Sequence, residues 1–260
     1  MNLASFVKKP SAKRLFSLLV GFIILTALSF SFTTQVFKKK SRQYFEDRNE
    51  IVWELKLPVK AVAITFDDGP SPSFTDQILV LLKKHQAKAT FFVSGRQAVL
   101  FPEVIQRIDQ AGHEIGNHLY HHIPIPGLTG KQLYQELAKN HYLIEKITGK
   151  KIGLFRPING YYDEKVVWIA HSLNYQIILW SLDSRDWSGK SGTQIAGNIL
   201  QEIKPGQIIL FHDQGGDRSN TIDALSIILP KLYTQGYRFL TVSDLLKFHH
   251  KNDASFHDLQ

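Results

Sequence analysis

The stretch Thr65-Phe66-Asp67-Asp68-Gly69-Pro70 sets two adjacent carboxylates between an apolar run and a Gly-Pro turn. Neighbouring side chains on a strand point to opposite faces, but at a turn both can converge on one site. One carboxylate can then take a proton while the other holds a cation, the division of labour of a metal-dependent hydrolase. Alone, such a string is an ordinary solvated turn. His118-Leu119-Tyr120-His121-His122 adds two imidazoles four residues apart, His118 and His122, which share a face if this piece is helical. With Asp68 they make a two-His, one-carboxylate set that leaves positions for water. His118 with His121 is the competing pair. The chain has no cysteine, so any metal is held by His and carboxylate alone.

Three further segments carry reactive groups. Phe155-Arg156-Pro157-Ile158-Asn159-Gly160 puts a guanidinium beside a turn, suited to a paired hydrogen bond with a carboxylate and to a backbone N–H aimed at a developing oxyanion. Trp180-Ser181-Leu182-Asp183-Ser184-Arg185-Asp186-Trp187 mixes carboxylates with indoles, whose faces stack on sugar rings; Trp180 fits a core equally well. Leu210-Phe211-His212-Asp213 ends an apolar run in His212, whose ordinary pKa suits a proton donor.

From residue 59 onward, short apolar runs alternate with amphipathic stretches. Strands are predicted at Val62–Thr65, Thr90–Val93, Glu114–Gly116, Leu154–Phe155, Gln176–Trp180, Ile208–Phe211 and Arg238–Leu240. Helices are predicted near Phe74–His85, Pro102–Ala111, Lys131–Thr148, Glu164–Leu173, Thr193–Ile203, Asp223–Gln235 and Ser243–Phe248. This alternation implies an α/β fold, a distorted (β/α) barrel of about seven parallel strands. Every cluster above follows a strand, and in such a barrel the carboxyl ends meet on one face, so residues about 150 apart in sequence become neighbours.

The chain is 260 residues long, 43% hydrophobic and formally +8. Eight of its 31 Lys and Arg fall in residues 1–42, which hold no acid, so residues 43–260 balance 23 basic against 23 acidic groups. A neutral folded body is a poor partner for a polyanion, which argues against nucleic acid. Leu15–Phe37, apolar in its first part, lies between the two basic clusters and is long enough to cross a bilayer. We read residues 1–37 as a tail and membrane anchor. The rival, a cleaved signal, lacks a clear A-x-A site. Residues 38–58 read as a stalk, 59–250 as the folded domain and 251–260 as a tail. The charges flanking the segment are tied, so the domain is placed outside the membrane on the shortness of the N-terminal tail.

The five motifs, in this order, resemble the polysaccharide deacetylases of carbohydrate esterase family 4, the NodB homology domain, over about residues 59–247. The resemblance implies hydrolysis of N-acetyl groups on an amino-sugar polymer, peptidoglycan or a chitin-like glycan, with release of acetate. It also implies a divalent metal, zinc first with cobalt as an alternative, held by Asp68, His118 and His122. In its terms Asp67 is the catalytic base, Arg156 orients it, His212 is the general acid, Asp186 tunes His212, and Asn159 offers a main-chain N–H to the oxyanion. Leu210, Trp187, Gly160 and Pro157 would meet the substrate, and a monomer is expected. Leu119 stands where the family usually has Ser or Thr, and Ile158-Asn159 replace the usual Pro-Tyr. Other readings are a carbohydrate-binding protein with altered catalysis and a metal-dependent amidase acting on a small amide.

Overall fold

A computed structural model describes residues 40–248. The apolar segment read as an anchor lies outside them; among the described residues no helix is long and apolar enough to cross a membrane. The described residues form a parallel-strand α/β half-barrel. Its strands are β1 (Ile51–Val52), β2 (Ala61–Asp67), β3 (Ala89–Val93), β4 (Glu114–Asn117), β5 (Leu154–Phe155), β6 (Gln176–Ile178), β7 (Leu182–Asp183), β8 (Ile208–His212) and β9 (Arg238–Phe239). They run β1-β6-β5-β4-β3-β2-β8-β7, with β9 on the first residues of β2. Every ladder is parallel.

The helices are α1 (Arg42–Glu46), α2 (Pro72–Lys84), α3 (Gly95–Leu100), α4 (Pro102–Gln110), α5 (Gly130–Thr148), α6 (Glu164–Ser172), α7 (Gly192–Glu202) and α8 (Ser219–Thr234), and residues 242–248 are also helical. Their starts follow local chemistry. Thr129 with Gln132 and Ser191 with Gln194 form capping boxes, and the Asp163 side chain accepts the Val166 N–H. Gly149 closes α5 in the left-handed conformation.

β2 is buried along its whole length, which is what a strand flanked by neighbours on both edges and layers on both faces requires. Phe66, Phe91 and Phe211 of β2, β3 and β8 pack ring against ring beneath the site. The predicted strand Gln176–Trp180 ends at Ile178, and a separate strand follows at Leu182–Asp183. The first pairs with β5 and β1, and the chain then crosses to pair with β8 through Leu182 and Asp183. One stretch, 176–183, thus touches both ends of the sheet.

The expected stalk is corrected by the structure. Phe45, Ile51 and Trp53 are buried in the main core, β1 pairs with β6, and the Leu55 N–H donates to Gly206 O. The folded unit therefore includes residues from about 42. Aromatic residues hidden among Lys, Arg and Glu concealed this in the sequence: Arg42 and Arg48 cover the rings of Trp53 and Tyr44 and pair with Glu54 and Glu50. Helix α8 begins four residues before the predicted Asp223 because Thr221, polar in sequence, faces inward to bond Asp186.

Candidate active site

β2 and β8 run side by side with Asp67 opposite His212. Asp68 leaves the strand with φ 79°, and this left-handed residue brings both carboxylates into one pocket. Gly69 is required by close approach, since a Cβ there would run into the buried Asp213 carboxylate. Asp213 accepts from Thr75 Oγ1 at 2.5 Å, and burial pushes its pKa up to about 7.

Asp67 is almost fully buried, and its Oδ1 accepts from Arg156 Nη1 at 2.8 Å. Arg156 has no exposed surface. Its Nε donates to Ile178 O, its Nη2 to Leu179 O and its Nη1 also to Thr65 Oγ1, while the guanidinium lies 4.1 Å over the Phe92 ring. Burial pulls its pKa below the ordinary value, and the Asp67 charge opposes that pull. Every donor direction is thereby fixed, and one points at Asp67.

His118, His122 and Asp68 offer ligand atoms that all lie within 4.8 Å of one another. His122 Nε2 is 2.7 Å and His118 Nε2 3.3 Å from Asp68 Oδ1. His118 Nδ1 donates to Arg156 O at 2.7 Å, which turns the Nε2 lone pair to the cluster. Burial acts to raise the Asp68 pKa, but the hydrogen bonds and charges of the two imidazoles outweigh it and hold the carboxylate well below its usual range. Two imidazole nitrogens and an ionised carboxylate, with no thiolate, fit a zinc-like divalent metal. The piece is not helical: residues 118–122 form a loop in which Leu119 and His122 are left-handed, φ 62° and 54°. Backbone reversal, not helical spacing, makes the pair converge. The alternative ligand His121 is turned away, with its N–H and Nδ1 both on the Glu136 carboxylate.

His212 forms the opposite wall. Its Nδ1 lies 2.8 Å from Asp186 Oδ1, and its main-chain N–H donates to Asp186 Oδ2. Thr221 Oγ1 also donates to that oxygen. Burial disfavours the charged ring, but Asp186 overrides it and raises the His212 pKa above the ordinary value. Burial likewise acts to raise Asp186, and its bonds to His212 and Thr221 bring it below the usual range.

Asp67, Asp68, His118, His122 and His212 line a cavity of about 240 Å³ shared with Asn159, Leu210, Trp187, Trp180 and Asp183. Asn159 is left-handed (φ 54°) and exposed; the turn's own bonds are made by the N–H groups of Gly160 and Tyr161. Trp187 stands 59% exposed on the rim. Pro157 and Gly160 do not line this cavity: Pro157 is buried, and Gly160 lines an adjoining hollow with Trp53 and Tyr162 that shares Asn159 and Trp180, where a Cβ would come within 2.8 Å of the Trp180 ring. Asp183 was visible as a strand-end residue without a role, Trp180 as either a sugar-stacking or a core indole, and Thr65 only as a member of the first motif; Glu136 and Thr221 gave no motif signal. A larger hollow of about 770 Å³ between α2 and α4 contains none of these groups. Its one histidine, His113, is held neutral by burial, with a pKa near 4, and accepts the Ala89 N–H.

Residues 54–178 match the sequence profile described as polysaccharide deacetylase. The peptidoglycan-N-acetylglucosamine deacetylase of Bacillus cereus is 39% identical over 211 residues, covering 80% of this chain and 99% of the relative. The chain belongs to the polysaccharide deacetylase family. A second relative of this family, the peptidoglycan-N-acetylmuramic acid deacetylase of Bacillus subtilis, is 35% identical over 191 residues, 72% of each chain. A solved deacetylase structure, a peptidoglycan N-acetylglucosamine deacetylase in complex with an N-oxidanyl-benzamide, superposes with a TM-score of 0.77 at 34% identity, covering 79% of this chain and 97% of that one.

Proposed function

We propose that this deacetylase removes N-acetyl groups from the amino sugars of peptidoglycan and releases acetate. The observation that carries the reading is the pairing of Asp67 and His212 across β2 and β8, in one pocket with the Asp68, His118 and His122 cluster. A divalent metal held by those three residues, zinc first, would supply Lewis acidity to the acetamide carbonyl and lower the pKa of a bound water. Asp67 then accepts the proton of the attacking water, its carboxylate held in one orientation by Arg156. The Asn159 N–H meets the oxygen on which charge develops. His212, kept protonated by Asp186, gives its proton to the departing nitrogen as the carbon–nitrogen bond breaks. Leu210 provides an apolar wall for the acetyl methyl.

The test is acetate release from N-acetylglucosamine- and N-acetylmuramic-acid-containing glycans, with and without chelator. Release from peptidoglycan that chelator abolishes and Zn²⁺ restores supports the reading; full activity after complete metal removal overturns it. Release from small amides alone would favour the amidase reading. We also propose that residues 1–37 hold the domain on the outer face of the cell membrane, on the strength of an apolar segment between basic clusters. Fractionation with protease protection in intact cells decides this, and recovery of the whole protein in the soluble fraction would refute it.

A further inference from the structure

The loop that carries His122 is held by a side chain from a helix that supplies no reactive group. Its hydrogen bonds run in sequence. The His118 N–H donates to Val93 O, the Leu119 N–H to Asn117 Oδ1, and Leu119 O accepts from Gly95 N–H and Asn140 Nδ2. Tyr120 O accepts from the Arg96 N–H. The last hold before His122 is Glu136 of α5, only 9% exposed, whose Oε2 accepts the His121 N–H at 2.8 Å and whose Oε1 accepts from His121 Nδ1 at 2.6 Å. Both oxygens are therefore engaged by one residue, and Glu136 is not in the ligand set.

The clamp has strain to resist. Leu119 and His122 are left-handed, a conformation unfavourable for a residue that carries a side chain. A peptide released at 121 would relax toward ordinary φ and carry the His122 ring away from Asp68. Leu119 is fully buried, and its apolar side chain cannot tie the loop by a hydrogen bond. We propose that Glu136, acting through His121, is a positioning residue that sets the metal affinity of this site. The proposal rests on the metal-dependent reading above.

The experiment uses the full chain, with Zn²⁺ affinity measured by competition against a chromophoric chelator and Co²⁺ site symmetry read from its visible d–d bands. Apo-protein melting is followed alongside. Glu136→Ala is expected to weaken Zn²⁺ binding about 10–100-fold, the range for removing a group that orients a ligand, and to change the cobalt spectrum. Glu136→Gln, whose amide can accept the main-chain N–H and donate to Nδ1, is expected to restore affinity to within about threefold. His121→Ala keeps the main-chain half of the clamp and should fall between them. Wild-type affinity and spectrum in Glu136→Ala, or a lower melting temperature with unchanged affinity of the folded protein, would overturn the proposal by leaving Glu136 a purely structural role. If Glu136→Ala does not fold, His121→Ala decides: unchanged affinity there refutes the clamp. Wild-type protein that takes up no metal would overturn the metal reading and this inference together, whereas failure of the variants alone would leave that reading intact.

Discussion

The two sides of the pocket are built differently. Asp67 and His212 are the last residues of adjacent strands, and each is fixed by a buried partner, Arg156 or Asp186, that has further bonds of its own. Asp68, His118 and His122 lie past the strand ends, on backbone that enters the left-handed region at Asp68, Leu119 and His122, and are held largely by hydrogen bonds to the loop. Groups that exchange protons need a fixed pKa, which burial and a charged partner supply. Groups that bind a cation need lone pairs aimed at one point, which a loop can supply if something outside the metal pins it. The proton-transfer side should therefore respond to substitution in rate and pH profile, and the ligand side in metal content.

The widest separation is expected between the two neighbouring aspartates. Asp67→Asn should lower turnover by about 10⁴-fold, the upper end for loss of a general base, while metal content stays at the wild-type level. Asp68→Asn, His118→Ala and His122→Ala should each lose metal by elemental analysis. Metal lost from Asp67→Asn and kept by Asp68→Asn would reverse the division. His212→Ala should cost about 10²–10³-fold in turnover with metal retained; unchanged turnover would remove His212 from the chemistry.

Asp186→Asn should cost less, about tenfold, but should move the pH profile. The sign follows from the structure: Asp186 raises the His212 pKa against burial, so its loss lowers that pKa, and the limb where the acid deprotonates shifts to lower pH. The same pair affects stability. A raised His212 contributes stability below its ordinary 6.5 that is lost as pH rises through the folded value, and a depressed Asp186 contributes stability above 3.8 that is lost as pH falls through its folded value. A pH–rate profile unchanged in Asp186→Asn would show that Asp186 does not set the acid. The smallest effect is expected at Gly160→Ala. Its φ of +63° and the nearby Trp180 ring should cost about 1–2 kcal/mol in melting free energy while acetate release stays near wild type, because the residue faces away from the reacting groups.

The side proposed to transfer protons was the legible one. Asp67, His212 and Arg156 end apolar runs, so period and turn residues locate them, and strand-end convergence in a β/α fold brings them together. The ligand loop was legible in residue type but not in conformation, since His118 and His122 at a spacing of four suggest a helix and only the backbone reveals two left-handed residues. Glu136 was illegible. A glutamate on an amphipathic helix looks like solvent-facing charge, and its burial arises from tertiary packing of α5 over the loop. The N-terminal segment was misread for a related reason: Phe45, Ile51 and Trp53 are too widely spaced among charges to signal core, yet they pack into it.

The register that sets Asp67 beside His212 also limits how the gene can vary in length. Inserting or deleting one residue within β2 or β8 would turn every following side chain to the other face, exchanging the proton acceptor or donor for a core residue. Connecting loops that carry no site residue are free of this constraint. Viable length changes among descendants of this chain should therefore fall outside residues 61–67 and 208–212, leaving these two short stretches as fixed rulers for the reaction.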